Sequence, residues 1–368
     1  MSISRLERLL TIGAAVAAFA AATGSSQTDV SDPAGASLPN PNPTVVKNFG
    51  TLPDGRVWGS TAGVDIGRDG HIWAYDRCGA NSCAGSKADP IVKLDRQTGK
   101  LLASFGGGQF IFPHGIHVDR DGNIWVTDGR AANEMELAKF PDAKGKGHTV
   151  TKFSPDGKVL LQLGKPGVGA RGKDTFLEPN DVITTPNGDI FVSDGHSGQN
   201  PNVPPETNAR IVKFTKDGKY VKEWGKLGSA PGEFRTPHAL ALDSRGRLFV
   251  ADRGNHRIQI FDQDGKFLAE LKQFSRVSGL FITRNDTLYA IDSESSPERH
   301  PNWKTGVRIG SVKEDKVLQF IPPHALPTGA PHGAAGEGIA VDADGNVYAA
   351  EGPLSRQAAG GGLTKYTK

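Results

Sequence analysis

Residues 114–128 have the sequence HGIHVDRDGNIWVTD. Two short runs of alternating apolar residues flank a tight Asp-Gly turn, a pattern typical of a β-hairpin. The same 15-residue layout recurs without insertion in five other places. These copies are residues 62–76, 180–194, 238–252, 278–292 and 337–351. A constant internal period of this kind indicates a repeat architecture.

A second hairpin pattern follows the first in five of the six copies, as in ARIVKFTKDGKYVKEWG at residues 209–225. One unit is therefore a four-stranded antiparallel meander, with a mean spacing of 55 residues between positions 62 and 337. Six such units predict an all-β fold, a six-bladed β-propeller, because radial closure protects strand edges. The last copy leaves room for one strand near residues 363–368, and an N-terminal strand within residues 45–58 closes that blade. A solenoid is the competing architecture.

The composition agrees with a turn-rich β protein and argues against two classes of partner. The 368 residues include 47 Gly and 24 Pro, which suits many tight turns. The 43 basic and 40 acidic residues give a net charge of only +3. Binding to nucleic acid or to a membrane surface through bulk charge is therefore not expected.

The N-terminus has the layout of a secretory signal peptide. Arg5 and Arg8 precede an apolar run at residues 9–22, which is shorter than a membrane-spanning helix. We expect a signal peptide at residues 1–24, a linker at 25–44 and the propeller at 45–368, in a secreted or periplasmic protein. An uncleaved membrane anchor is the alternative. No segment after the processed N-terminus is apolar enough to span a membrane.

The only two cysteines, Cys78 and Cys83, are close enough in sequence to close a six-residue loop. In an oxidising compartment this pair is expected to form a disulfide that staples the loop. A metal-binding or redox pair is the alternative, although the spacing differs from the Cys-x-x-Cys of redox motifs.

The first residue of each copy begins the innermost strand of its blade and is therefore expected at one mouth of the central channel. In chain order these residues are Ala62, His114, Asn180, His238, Ser278 and Glu337. His114, His238 and Glu337 lie on alternate blades and are expected to converge on one point. Two imidazoles and a carboxylate favour a catalytic Zn²⁺, and Fe²⁺ or Mn²⁺ accept the same donors. The alternative is that the two histidines bind no metal, fill the water-containing channel and form hydrogen bonds across it.

A second candidate for the third ligand is His332. Pro-His-Gly at residues 331–333 repeats the Pro-His-Gly at residues 113–115. His332 lies five positions before the register position of Glu337, which therefore remains the preferred ligand.

Two arginines follow the second strand of copies one and four, which lie on opposite sides of the predicted ring. Arg77 and Arg253 each come directly after the acidic residue that ends the copy. A guanidinium pair suits a small-molecule or peptide substrate that bears a carboxylate. His196, two residues after Asp194, is a candidate acid or base at the same rim.

The cassettes resemble NHL repeats, and longer stretches resemble the peptidyl-α-hydroxyglycine α-amidating lyase family. These stretches are FPHGIHVDRDGNIWVTDG, RIVKFTKDGKYVKEWG, FRTPHALAL and LFVADRGNHRIQIF. The resemblance implies a six-bladed propeller with a catalytic zinc on three axial histidines and a structural calcium. It also implies a reaction that splits a peptidyl-α-hydroxyglycine into a peptide amide and glyoxylate.

The resemblance assigns roles to several positions of this chain. His114 and His238 match zinc ligands, and Arg77 and Arg253 match active-site arginines. The backbone carbonyls of Val64 and Ile116 match calcium ligands. As an expectation, the metal polarises a substrate oxygen, the arginines orient a carboxylate, and His196 moves the proton.

Three positions depart from the family pattern. Glu337 stands where the third histidine is expected, and Gly338 replaces an aspartate that helps to bind calcium. His196 stands where the family has a catalytic tyrosine.

Two other functions remain open on the sequence alone. Pro-Asn-Asp-Val at residues 179–182 and Gly-Glu-Gly at residues 336–338 resemble short motifs of propeller lactonases of the gluconolactonase type. Those enzymes hold a divalent cation with Glu, Asn and Asp side chains. The other alternative is a non-enzymatic NHL-repeat binding module, since a fold alone does not define a function.

Overall fold

Each 15-residue copy contributes the two inner strands of one blade, as the alternation of apolar residues predicted. In the copy at residues 114–128, Val118 pairs with Ile124 and His117 with Trp125 across the turn. Gly122 allows this turn because its φ of 85° lies in the left-handed region that favours glycine. The computed structural model describes residues 35, 37–324, 335–352 and 362–368.

Within these ranges the strands form six antiparallel sheets of four strands. From the innermost strand outward, the first blade contains β2 Thr61–Ile66, β3 Ile72–Asp76, β4 Ile91–Leu94 and β5 Leu101–Phe105, and the second contains β6 Pro113–Val118, β7 Ile124–Asp128, β8 Thr149–Phe153 and β9 Val159–Leu163. The third contains β10 Pro179–Thr184, β11 Ile190–Asp194, β12 Arg210–Phe214 and β13 Tyr220–Trp224, and the fourth contains β14 Pro237–Leu242, β15 Leu248–Asp252, β16 Arg257–Phe261 and β17 Phe267–Leu271. The fifth contains β18 Gly279–Ile282, β19 Thr287–Asp292, β20 Gly306–Ser311 and β21 Val317–Ile321, and the sixth contains β22 Gly338–Val341, β23 Val347–Glu351, β24 Gly362–Thr367 and β1 Thr44–Val46. The innermost strands contact one another in the order β2, β6, β10, β14, β18 and β22, and β22 returns to β2. The predicted six-bladed propeller is confirmed.

Both ends of the propeller sequence meet in the sixth blade. β24 pairs with β23 on one side and with β1 on the other, where Val45 lies opposite Tyr366. The predicted N-terminal closing strand is therefore present. Asn42, in the predicted linker, donates its side-chain NH groups to the carbonyls of Gly345 and Tyr366. The end of that linker thus packs on the sixth blade, whereas the predicted signal peptide lies outside the described residues.

Helical structure is minor in the described ranges. The α-helix α1, Glu134–Lys139, lies in the connection between β7 and β8. In the same ranges no helix has the length and apolar character needed to cross a membrane.

A β-bulge interrupts the innermost strand of four blades where the candidate site residues lie. The pairing register shifts between Pro113 and Ile116 in β6 and between Pro237 and Leu240 in β14. β2 and β10 have the equivalent irregularity. A bulge redirects the side chains at its position. Those of His114 and His238 line the central cavity.

The acidic residue that ends each copy is buried. Asp128 accepts hydrogen bonds from the backbone NH groups of Ile111 and Phe112, the residues that lead into β6. Asp194 does the same for the two residues that lead into β10. In these two blades the carboxylate thus fixes the entry to the innermost strand.

Cys78 and Cys83 form the predicted disulfide, with their Cα atoms 5.2 Å apart. The bridged loop begins directly after Arg77. It is fastened to the second blade, because the backbone NH of Cys83 donates to the carbonyl of Ile111. The disulfide therefore supports the segment that carries Arg77.

Candidate metal centre and active site

Three imidazoles, from His114, His196 and His238, come together at one mouth of the channel. One ligand nitrogen from each lies within 4.8 Å of the others. The ring centroids of His114 and His238 are 4.8 Å apart, and the ring of His196 is 5.5 Å from the first and 5.4 Å from the second. Three imidazoles with an open fourth position form a donor set typical of catalytic zinc.

The backbone fixes the tautomers of His114 and His238. Nδ1 of His114 donates to the carbonyl of Asn180 over 2.8 Å, and Nδ1 of His238 donates to the carbonyl of Ser278 over 2.6 Å. A carbonyl oxygen can only accept, so each Nδ1 carries the proton and each Nε2 presents a lone pair. Neither Nε2 has a hydrogen-bond partner, although both atoms are buried. A backbone carbonyl behind a ligating histidine is the usual support for a metal site.

Burial keeps both of these imidazoles neutral. It lowers the pKa of His114 and of His238 well below the usual value, and the neighbouring histidines and arginines act in the same direction. A neutral imidazole is the form that binds a metal. The unpartnered Nε2 atoms and the neutral rings therefore fit a transition-metal ion.

His196 reaches the site from the loop that follows β11. Gly195, with a φ of 134°, turns the chain there, and the backbone NH of His196 donates to Glu178 Oε2 over 2.7 Å. Nη2 of Arg253 donates to Nε2 of His196 over 2.9 Å. Burial and Arg253 lower the pKa of His196 to about 3. Because the lone pair of His196 is occupied by Arg253, ligation of a metal by His196 requires that this hydrogen bond break.

The side chain that lies beside His114 and His238 differs from the one expected from the sequence. Glu337 was expected beside His114 and His238 as the third ligand, and His196 was expected as an acid or base. Among the described residues, His196 completes the close group and Glu337 does not belong to it. The physical reason is charge, since Glu337 Oε2 faces Arg77 Nη2 at 3.8 Å. His332, the other candidate ligand, lies outside the described residues.

Glu337 is a buried carboxylate with spare hydrogen-bonding capacity. Its side chain lines the same cavity as His114 and His238, and its Oε2 makes no hydrogen bond. Burial raises the pKa of Glu337, while Arg77 and Arg253 oppose that rise. A carboxylate in this setting is suited to exchanging a proton with a bound ligand.

Arg77 is held rigidly at the same mouth. It is 1% exposed, and its Nε donates to the carbonyl of Pro113 over 2.9 Å. Nη1 donates to Asn81 over 2.7 Å, and the guanidinium lies 3.7 Å above the ring of Phe112. Burial lowers the pKa of Arg77 to about 10, so the group is charged at neutral pH.

The Nη1 amino group of Arg253 is available for a ligand. Arg253 is fully buried, and its Nε donates to Gln199 Oε1 over 3.0 Å. Nη1 makes no hydrogen bond, and the nearest carboxylate oxygen, of Glu294, is 3.8 Å away. Arg253 is therefore the more available of the two arginines for a substrate carboxylate.

The sequence argument missed three residues that hold Arg253 in place. Arg276 Nη2 donates to Gln199 and to Glu294 Oε2, so these three side chains form one network with Arg253. Although burial opposes it, Arg253, Arg276 and Arg299 lower the pKa of Glu294 to about 2. Glu294 lies two residues after the acid that ends its copy, as His196 does in the third copy. That shared offset is the signal by which Glu294 could have been found.

The candidate calcium positions line the cavity below the imidazoles. Val64 and Ile116 are buried on β2 and β6. Gly338, on the neighbouring strand β22, offers no carboxylate, and a Cβ atom there would lie 2.5 Å from the carbonyl oxygen of Ala62. The calcium expectation stays a prediction.

The NHL repeat family model matches residues 234–261, which contain β14, β15 and β16. With six blades built on the same cassette, the chain is an NHL-repeat β-propeller.

Three curated proteins are similar to this chain over much of the propeller. Peptidylglycine alpha-amidating monooxygenase of Rattus norvegicus is 34% identical over 256 residues, covering 65% of this chain and 24% of that protein. Peptidyl-alpha-hydroxyglycine alpha-amidating lyase 1 of Drosophila melanogaster is 30% identical over 283 residues, covering 71% and 46%. NHL repeat-containing protein 3 of Homo sapiens is 34% identical over 228 residues, covering 58% and 60%. The chain thus spans about a quarter of the length of the rat protein.

Solved propellers share the fold at low sequence identity. A gluconolactonase from Xanthomonas campestris is 15% identical, with a TM-score of 0.50, over 91% of this chain and 96% of that chain. At this identity the likeness shows the fold alone.

Proposed function

We propose that this protein is a metal-dependent lyase that cleaves the C–N bond of a peptidyl- or acyl-α-hydroxyglycine, releasing an amide and glyoxylate. The observation that carries the proposal is the group of three imidazoles in which two buried Nε2 atoms have no partner. Two similar proteins are an amidating lyase and an amidating monooxygenase by name. The charged groups around the imidazoles fit a substrate that bears a carboxylate.

In this proposal His114, His196 and His238 hold the metal, with Zn²⁺ favoured and Fe²⁺ or Mn²⁺ as alternatives. When bound, the metal supplies Lewis-acid polarisation of a substrate oxygen. If His196 held a metal, its hydrogen bond from Arg253 Nη2 would be broken, and Nη2 would be available beside the unpartnered Nη1. Arg253 then binds the substrate carboxylate through a bidentate pair of hydrogen bonds.

Glu337 is the described side chain best suited to move the proton in this reaction. The substrate loses its hydroxyl proton, the C–N bond breaks with its electron pair on nitrogen, and the departing amide nitrogen gains a proton. Glu337 accepts the first proton and delivers the second, so the residue is regenerated. Arg77, 3.8 Å from its Oε2, stabilises the carboxylate form between turnovers.

The same protein is proposed to work in an oxidising, extracytoplasmic compartment. The Cys78–Cys83 disulfide supports this location, because disulfides persist in oxidising surroundings.

The deciding experiment measures metal content and glyoxylate release in one set of variants. We expect about one Zn, Fe or Mn per wild-type chain, and loss of the metal in a His114→Ala, His238→Ala double variant and in His196→Ala. Glu337→Gln is the matched control, and is expected to keep the metal and lose glyoxylate release from an acyl-α-hydroxyglycine. Metal loss in Glu337→Gln but not in His196→Ala would make Glu337 the third ligand. Absence of metal from the wild type after reconstitution would overturn the lyase proposal in favour of a binding propeller.

A further inference from the structure

The central cavity has a second polar end, on the face opposite the imidazoles. The cavity, of about 560 Å³, follows the innermost strands of the propeller. His114, His238 and Glu337 line one end, and Arg120 and Arg284 line the other. The two histidines are 4% and 3% exposed, whereas both arginines are exposed. Among the described residues that line the cavity, these two arginines are exposed to solvent, whereas the two histidines at the other end are buried.

Arg120 and Arg284 occupy the same position in two turns that lie across the channel from each other. Each stands two residues beyond the last residue of its innermost strand, β6 in the second blade and β18 in the fifth. In a six-bladed ring these blades are diametrically opposed. Arg68, at the equivalent position in the first blade, donates its Nη1 to the carbonyl of Arg120 over 2.5 Å. This bond joins the turns of the first and second blades.

Neither Arg120 nor Arg284 forms an ion pair within the described residues, because nearby acids bind other groups. Asp119 is 3.1 Å from Lys152 Nζ, and Asp243 accepts from Arg247 Nε over 2.7 Å. Asp286 accepts from the backbone NH and the hydroxyl of Ser244. The positive charge of the two arginines at this end is therefore not neutralised by those carboxylates.

The acidic residues further inside the cavity are also occupied. Asp65 accepts from the backbone NH groups of Ile66 and Val118, and its Oδ2 lies 3.3 Å from His117 Nδ1. Asp181 accepts from the backbone NH groups of Val182 and Leu240 through its two oxygens. Both carboxylates are therefore engaged by backbone groups and do not pair with Arg120 or Arg284.

We propose that the arginine end of the channel is a second anion site, which binds a small carboxylate between Arg120 and Arg284. Guanidinium groups bind carboxylates through charge-assisted hydrogen bonds. If the proposed function holds, the natural ligand is the released two-carbon oxo acid, which leaves the imidazole end along the channel. The site itself does not depend on that reaction.

The test uses acetate as the probe, titrated at low salt and followed by ¹³C NMR. An Arg253→Gln background removes the unpartnered Nη1 group of the imidazole end. In this background we expect Arg120→Gln with Arg284→Gln to weaken acetate binding by about tenfold, the effect of about 1.4 kcal/mol. Arg245→Gln is the matched control, because Arg245 is exposed in the neighbouring turn but does not line the cavity. Equal acetate affinity in all three proteins, or no binding in Arg253→Gln alone, would overturn the site.

A second experiment, on product inhibition, distinguishes the anion site from the lyase reaction. If glyoxylate is released, product inhibition should weaken in the Arg120→Gln, Arg284→Gln enzyme and stay unchanged in Arg245→Gln. Unchanged inhibition in the double variant would overturn the exit role. If no glyoxylate is released by the wild type, the lyase proposal and the exit role fail together, while the acetate titration still decides the anion site. Thermal unfolding of each variant verifies that its fold is intact.

Discussion

At His114 and His238 the backbone decides which ring nitrogen is available. Each Nδ1 donates to a carbonyl of the next blade, and this leaves each Nε2 as an unpartnered acceptor. A buried acceptor without a partner destabilises the folded protein by about 1–3 kcal/mol. Such a cost is expected where a ligand supplies the missing interaction, which is why these two atoms are the strongest single mark of a metal site.

Gly338→Asp tests whether this propeller has room for the calcium-binding aspartate that the family resemblance implies at this position. A Cβ at residue 338 would lie 2.5 Å from the carbonyl oxygen of Ala62 and 3.2 Å from the Cα of Gly63. We expect a loss of about 1–3 kcal/mol in the free energy of unfolding, with or without calcium, measured by urea denaturation. Ala343→Asp, at an exposed position of the same blade, is the control and should change stability by less than about 0.5 kcal/mol. Calcium-dependent stabilisation of Gly338→Asp would contradict the prediction.

His256 predicts a pH dependence of stability outside the metal site. Burial, assisted by Arg276, lowers the pKa of His256 to about 4, from about 6.5 in an unfolded chain. Between these values the unfolded chain binds a proton that the folded protein does not. The stability contributed by the neutral imidazole is therefore present above pH 6.5 and is lost as the pH falls toward 4.

The variant His256→Asn should remove this part of the pH dependence. Asparagine tolerates the φ of 55° at this position. From pH 8 to pH 4, we expect the wild type to lose about 2–3 kcal/mol more than the variant, as measured by urea denaturation. The comparison at pH 8 provides the baseline, since the imidazole is neutral in both states there. Parallel pH profiles for the two proteins would show that His256 is not the source.

Among the 24 described strands, β24 alone pairs with one strand from each end of the propeller sequence. It joins β23, from the C-terminal half of the chain, to β1, from the N-terminal end, and so completes the last blade. Tyr366 on this strand is 2% exposed and belongs to the apolar cluster that includes Ile339 and Val347. Packing at β24 therefore holds the ring together.

Tyr366→Ala should destabilise the whole propeller rather than one edge. Removal of a buried aromatic side chain costs about 3–5 kcal/mol, and the free energy of unfolding in urea should fall by that amount. Lys368→Ala, at an exposed position two residues later, is the control and should have little effect. A loss below about 1 kcal/mol in Tyr366→Ala would mean that closure of the sixth blade does not limit stability.

On the scale of the whole molecule, the three imidazoles come from consecutive blades, the second, third and fourth. A metal held by all three binds the folded ring and not the unfolded chain, so it stabilises the protein by mass action. Two of the imidazoles, those of His114 and His238, also lie at the buried end of a cavity whose other end is exposed. Metal binding by the three imidazoles would therefore depend on the assembled ring.

Zinc should raise the stability of the wild type by about 2.7 kcal/mol at a free concentration 100-fold above the dissociation constant. Thermal unfolding with zinc and with a chelator measures this difference. His196→Ala should lose most of the stabilisation, because it removes one of three ligands, whereas Glu337→Gln should retain it. The reverse order in these two variants would assign the third ligand to Glu337.

The repeat made the blades and the closing strand predictable, and the short separation of the two cysteines made the disulfide predictable. Turns such as Asp121-Gly122 and alternating apolar residues act over a few positions, so a local pattern is sufficient to define each hairpin. His114 and His238 were found because they share one register position in two copies. Arg77 and Arg253 were found for the same reason.

The propeller and the two histidines at the channel mouth were predictable from the sequence, because both follow from a short-range period. The bulges of the innermost strands were not. Only the tertiary structure decided the third imidazole, since His196 lies in a loop whose path depends on Gly195 and on the hydrogen bond to Glu178. It likewise decided that Glu337 faces Arg77, because the attraction between two buried charges from different blades is not encoded in either local segment.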